Sequence, residues 1–272
     1  MKKLNLFKKK SESFFHRREM GIINTDTEFE AVEAYKSLRT NITFSMSQRE
    51  HKRILFTSAV PMEGKTSTIC NFAVVLAQAG YKVLLIDGDM RQSRVHSYFK
   101  MAKGRHGLSS VLSTGKLENC SVDSGYPNLT LMFAGMTPPN PAELLEGKYA
   151  QQFFDGVEEY FDYILVDTPP VGIMTDALIL KKYDFSMVLV SREGYSDHRD
   201  VQMAIKAIQM VGGDLIGSVL IGSKSALASK KDGYKYGYKY YGYADASSKA
   251  NANAAARSNV LSGSLGEKNV GD

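Results

Sequence analysis

Hydrophobic residues along the chain fall into short dense runs separated by longer stretches of helical spacing. "RILFTS" (53–58), "KVLLID" (82–87), "LTLMFA" (129–134), "YILVD" (163–167), "SMVLVS" (186–191) and "LIGSVLI" (215–221) each read as a strand. None shows the strict alternation of apolar and polar positions that marks a sheet with one wet face, so burial on both sides is expected. Helices are expected around 65–79, 148–160 and 197–211. An earlier helix over 28–46 carries Phe29, Val32, Tyr35, Leu38 and Ile42 at helical spacing, with Thr27 or Asp26 as its N-cap. Strands alternating with helices predict an α/β fold, a mostly parallel sheet covered by helices on both faces.

The pattern stops near residue 223. "YKYGYKYYGY" (234–243) then places six tyrosines in ten positions, and residues 244–272 are rich in Ala, Ser, Asn and Gly. So polar a stretch is expected to be disordered. The sequence thus divides into a basic flexible leader (1–27), a folded domain (28–223) and a tyrosine-rich, low-complexity tail (224–272).

Composition changes this picture little. A chain of 272 residues with 43% apolar content can bury a substantial core. Its two cysteines, Cys70 and Cys120, are too few for a disulfide framework or a zinc site and suit a reducing cytosol. No apolar run approaches the ~20 residues of a membrane span, and the first residues lack the apolar core of a secretory signal.

Charge is more informative. The net charge of +5 is matched by the first twenty residues alone, seven Lys or Arg against two Glu. The remainder is neutral, which argues against a general nucleic-acid binder. Leu4, Leu6 and Phe7 lie among the leader's lysines. That mixture suits either a solvated leader or attachment to the inner face of an anionic membrane.

The chemistry concentrates at strand ends. "SAVPMEGKTST" (58–68) lies between a strand and a helix, where a phosphate-binding loop of the form G-x-x-x-x-G-K-[ST] belongs. Ala59 replaces the first glycine, while Gly64, Lys65 and Thr66 match. Backbone N–H groups there cradle phosphate oxygens, Lys65 neutralises the β/γ-phosphates and the Thr66 hydroxyl reaches Mg²⁺. "LLIDGDMR" (84–91) puts Asp87 and Asp89 at the end of a second strand, and "ILVDTPP" (164–170) puts Asp167 at the end of a third. Strand ends are where α/β sheets bind ligands. Three such ends around a P-loop predict a P-loop NTPase-like domain that binds ATP with Mg²⁺.

Together these segments resemble the bacterial tyrosine kinases of capsule and exopolysaccharide synthesis. The resemblance rests on Ser58 to Thr66 (S-x-x-P-x-E-G-K-[ST]), on Asp87-Gly-Asp89-Met-Arg91 (D-x-D-x-R), on Asp167 in "VDTPP", on "PPNPAELL" (138–145) and on the tyrosine cluster. It implies an ATP-dependent protein-tyrosine kinase that autophosphorylates Tyr234, Tyr236, Tyr238, Tyr240, Tyr241 and Tyr243. By the same resemblance, Glu63, Gly64, Lys65, Thr66 and Ser67 hold the nucleotide, while Thr66, Asp89 and Asp167 arrange Mg²⁺. Lys65, Asp87 and Asp89 are the catalytic candidates, with Asp87 taking the proton of a phenol whose free pKa is near ~10. Glu33, Lys36 and Arg39 stand in the place of the family's oligomerisation motif E-x-x-R-x-x-R, with lysine for the first arginine, which implies a homo-oligomeric ring. The implied partners are a transmembrane chain-length regulator on a separate chain, which activates the kinase at the membrane's inner face, and a cognate phosphatase.

The chain departs from the family pattern in having Gln92-Ser93 after the D-x-D-x-R segment and Ile221 where relatives place an asparagine near the base. Two other readings are compatible with a P-loop. A partitioning or cell-division ATPase would carry a signature lysine where Val60 stands and has no use for a tyrosine cluster. A non-catalytic scaffold of a polysaccharide-export complex would have no need of both Asp87 and Asp89.

Overall fold

The computed structural model describes residues 21–24 and 27–222. Residues 1–20 of the basic leader, Thr25, Asp26, the tyrosine cluster and residues 244–272 lie outside the described residues, whereas Ile22 and Ile23, expected in the flexible leader, are buried, and the Ile23 N–H donates to Asn71 Oδ1 at 2.7 Å. Seven strands form one sheet in the order β3-β4-β2-β5-β1-β6-β7. They are β1 (Arg53–Ser58), β2 (Val83–Asp87), β3 (Val122–Asp123), β4 (Leu129–Met132), β5 (Tyr163–Asp167), β6 (Ser186–Arg192) and β7 (Asp214–Ile221). Every pairing is parallel except that of β3 with β4.

Side chains alternate along each central strand, but both faces are apolar. Leu55, Leu84, Ile86, Ile164, Val166, Met187 and Leu189 join one core. Ile54, Phe56, Val83, Leu85, Leu165, Val188 and Val190 join the other. The period of two is therefore present in the backbone and absent from the polarity, which is why the strands read as continuous apolar runs. The second core is covered by α1 (Phe29–Ser45) and α2 (Lys65–Gln78), through residues such as Ile42, Ile69 and Phe72. The first is covered by α4 (Leu108–Thr114), α5 (Pro141–Glu146), α6 (Lys148–Glu158), α7 (Asp176–Leu180) and α8 (His198–Met210). Among the described residues no helix is long and apolar enough to cross a membrane.

Some local expectations are corrected. The N-cap of α1 falls on Glu28 and makes no side-chain cap bond; the Thr27 hydroxyl is engaged with Asn24 instead. Strand β4 stops at Met132, because the carbonyls of Phe133 and Ala134 accept the Leu108 and Ser109 N–H groups at 2.8 and 3.0 Å. They thereby anchor the start of α4. Helix α3 (Val95–Tyr98), α4, α5 and α7 are too short to show a period.

Candidate active site

Topology brings the three sequence motifs together. β5 lies between β2 and β1, and Asp167 is in register with Asp87 on one side and Phe56 on the other. The loop leaving β1 therefore rises beside two strand-end aspartates. Gly88 sits where a Cβ would come within 2.6 Å of Val166 and 2.8 Å of the Asp167 carbonyl. A side chain there would drive β2 and β5 apart, so this contact needs glycine between the two acids.

The loop itself is tightly braced. Gly64, the N-cap of α2, has φ +83°, and a Cβ on it would meet Ile221 Cδ1 at 2.3 Å. Ile221 therefore packs on the P-loop glycine. Glu63 is buried: one carboxylate oxygen accepts the Val60 N–H at 2.9 Å, and the other accepts the Ser196 hydroxyl. Its side chain is committed inside the loop, so the expected nucleotide contact at Glu63 is left to its backbone. The Ser58 hydroxyl donates to the Val60 carbonyl at 2.9 Å.

The Thr66 hydroxyl donates to Asp167 Oδ2 at 2.6 Å. Lys65 Nζ lies 3.5 Å from Asp167 Oδ1, 3.8 Å from Asp89 Oδ2 and 3.4 Å from Thr66 Oγ1. Asp89 Oδ1 accepts the Gln92 N–H at 2.8 Å and the Arg91 N–H at 3.2 Å, which fixes the turn after β2. Asp87 is placed deeper. Its Oδ2 accepts Ser93 Oγ at 2.8 Å and the Arg94 and Val95 N–H groups at 3.0 Å, while its buried Oδ1 has no hydrogen-bond partner. Burial, reinforced by the neighbouring Asp167 charge, pushes the Asp87 carboxyl up to about 7, against the opposing bonds from Ser93 and Val95. Burial also raises Asp167, although Lys65 and Thr66 pull it the other way.

Lys65, Thr66, Asp89, Arg91 and Tyr98 line a cleft of about 220 Å³, with Pro169 and Pro170 beyond, while Asp87 and Asp167 are buried and do not line it. Ser67 is buried at the start of α2. An oxygen donor set of one hydroxyl and two carboxylates fits Mg²⁺, which is usually held by one or two carboxylates together with substrate phosphates. Among the described residues no group of three or more His, Cys, Asp or Glu could hold a metal by itself.

Glu33, Lys36 and Arg39 all lie on α1. Lys36 Nζ pairs with Glu33 at 2.7 Å on α1, whereas Arg39 donates to the Val75 carbonyl in the last turn of α2 at 3.2 Å. Sequence reading missed Asp176, a buried acid at the start of α7, and the bracing role of Ser196. The only linear clue to Asp176 is an acid placed directly before the apolar run "ALIL". Ser196 meets Glu63 across 133 positions, which leaves no local signal.

A family model described as "AAA domain" matches residues 62–215. The tyrosine-protein kinase CpsD of Streptococcus pneumoniae serotype 4 is 40% identical over 191 residues, covering 70% of this chain and 83% of CpsD. The solved kinase domain of the Escherichia coli tyrosine kinase ETK is similar with a TM-score of 0.69 and 32% identity, over 77% of this chain and 81% of that one. Against the whole Etk chain, the match spans 71% of this chain and only 26% of Etk. The septum site-determining protein MinD of Pyrococcus horikoshii, solved with Mg-ADP, shares the fold alone, with a TM-score of 0.53 and 21% identity over 62% of this chain and 70% of that one.

Proposed function

The chain belongs to the bacterial tyrosine-protein kinases, and from that premise we propose that its cleft moves the γ-phosphoryl group of ATP onto the tyrosines of residues 234–243. A tyrosine oxygen forms the new bond to Pγ, the bond from Pγ to the β–γ bridging oxygen breaks, and ADP leaves. The phenol proton passes to Asp87. The observation that carries the reading is the meeting of Lys65, Thr66 and Asp89 at one cleft with the buried Asp167, which contacts Lys65 and Thr66 and stands in register with Asp87.

Each residue has a separable task in this scheme. Lys65 and the N–H groups from Glu63 to Ser67 bind the phosphates. Thr66, Asp89 and Asp167 would hold Mg²⁺, which supplies charge neutralisation when bound. Asp87 has one oxygen tied to the 93–95 turn, which fixes its position, and one oxygen without a partner to accept a proton. A carboxyl near 7 is well matched to general-base work at neutral pH. Most of the acceleration comes from in-line positioning and charge neutralisation.

The wider role in the proposal is control of capsule or exopolysaccharide synthesis. It has a membrane-bound activator and a cognate phosphatase as partners, and the basic leader helps to hold the kinase at the membrane. Assembly into a ring would use α1. Glu33, Lys36 and Arg39 are the residues proposed for an interface there; Lys36 pairs with Glu33, and Arg39 also donates to the Val75 carbonyl. Replacing Glu33 and Lys36 by Ala should shift light scattering toward monomer, and an unchanged assembly state would remove α1 from the interface.

The reaction itself is tested by giving Mg·ATP to the full chain, alone and co-expressed with its membrane-bound activator, and mapping phosphotyrosine by mass spectrometry. Modification within 234–243 is expected, and it disappears when all six tyrosines are replaced by Phe. ATP hydrolysis with no phosphotyrosine would instead make the protein an ATPase or an assembly scaffold.

A further inference from the structure

Asp176 is the least satisfied charge among the described residues. It is 1% exposed, and neither carboxylate oxygen has a hydrogen-bond partner. A buried carboxylate normally collects several donors, and leaving one bare works against stability. The cation facing it is Arg91, whose Nη2 lies 3.8 Å from Asp176 Oδ2, beyond hydrogen-bond length.

Arg91 has a fixed backbone and an adjustable head. Its N–H is held by Asp89, yet its side chain is 34% exposed and lines the same cleft as Lys65 and Thr66. A guanidinium offers a planar fork that matches phosphate oxygens two at a time, which a lysine cannot reproduce. A loose contact to a buried anion pulls that fork toward one wall without consuming its donors.

We propose that Arg91 is a catalytic residue that contacts the transferring phosphate in this cleft, and that Asp176 is the positioning residue that aims it. The inference rests on the kinase reading above. Asp176 keeps its bare carboxylate because the site needs an anion there to orient Arg91.

The test is a double-mutant cycle on the full chain with Asp176→Asn, Arg91→Ala and both together. It reads phosphotyrosine formation, Mg·ADP affinity and the thermal midpoint of the nucleotide-free protein. Asp176→Asn should lower kcat about 10–100-fold and leave ADP affinity within about threefold. It should add little to the loss already produced by Arg91→Ala, because the two act as one unit. Its thermal midpoint should rise by about 2–4 °C, since a buried charge has been removed. Arg91→Lys, at a partly exposed position that tolerates change, should reproduce the kcat loss because it keeps the charge and removes the fork.

A wild-type kcat in Asp176→Asn or in Arg91→Lys, losses that multiply, or a lowered thermal midpoint would each overturn the inference. So would failure of Asp176→Asn to fold, since Asp176 would then be a structural residue. A wild-type chain that forms no phosphotyrosine even with its membrane-bound activator present would overturn the kinase reading, and this inference with it. Normal wild-type turnover beside an unaffected Asp176→Asn would overturn the inference alone.

Discussion

The two ends of the central sheet treat buried charge in opposite ways. At the start of β1, Arg53 is 2% exposed and its hydrogen-bonding groups are well used. It meets Asp155 at 2.8 Å and Glu158 at 2.7 Å and donates to the Tyr183 carbonyl at 3.0 Å, while His51 supports Glu158 at 2.8 Å. At the other end, Asp87, Asp89, Asp167 and Asp176 are all buried, with Lys65 and Arg91 held by contacts of 3.5–3.8 Å. Three oxygens of Asp87 and Asp176 there have no hydrogen-bond partner. One end is matched and closed. The other holds more acid than the described residues balance, and that surplus is what a divalent cation and a proton acceptor require. A single fold thus keeps a closely paired ion cluster and a loosely paired, acid-rich one at opposite ends of its strands.

Substitutions at the two ends should therefore have different signatures. The largest effect is expected at the acidic end. Asp87→Asn and Asp89→Asn should each reduce the initial rate of phosphotyrosine formation about 100-fold or more while the protein stays folded. A normal rate in both would mean the pair has been given the wrong role. Arg53→Met should do the reverse, costing about 3 kcal/mol in urea unfolding, the low end for a broken buried pair because Asp155 and Glu158 can rehydrate. Its turnover per folded molecule should be unchanged, and a kinetic defect at constant stability would erase the contrast.

The smallest effect is a pH slope. Burial pushes the Asp87 carboxyl up to about 7 in the folded, nucleotide-free protein, from the ordinary carboxylate range of the unfolded chain. Between about pH 4 and 7 the folded protein holds a proton that the unfolded chain has released, so stability falls as pH rises through that window. The thermal midpoint of the nucleotide-free protein should accordingly decline from pH 5 to pH 8, and Asp87→Asn should flatten the decline. An identical slope in the variant would show that burial of Asp87 is not its source.

How much of this was legible in the sequence follows from which interactions are local. β1, β2, β5 and β6 were readable because both faces of each are buried, so their apolar runs stand out. The P-loop and the strand-end acids were readable because their spacing is fixed by one turn of chain. Strand β3 has only Val122 and Asp123, both exposed, and carries no pattern to read. The motif at Glu33, Lys36 and Arg39 is local and readable, whereas the bond from Arg39 to the Val75 carbonyl joins two helices and has no local signal. Asp176 was invisible for a similar reason. Its importance lies in the bonds it fails to make, and only the packed structure shows that.

The central claim is that the acidic end is the active site of a tyrosine kinase, and Lys65 is the residue on which it turns. The most direct measurement compares wild type with Lys65→Met, each folded and given Mg·ATP, with phosphotyrosine on residues 234–243 quantified by mass spectrometry. The account predicts modification in the wild type and less than about 1% of it in the variant, since a phosphate-facing charge has been removed without touching the core. Undiminished phosphotyrosine in a folded Lys65→Met protein would contradict the account.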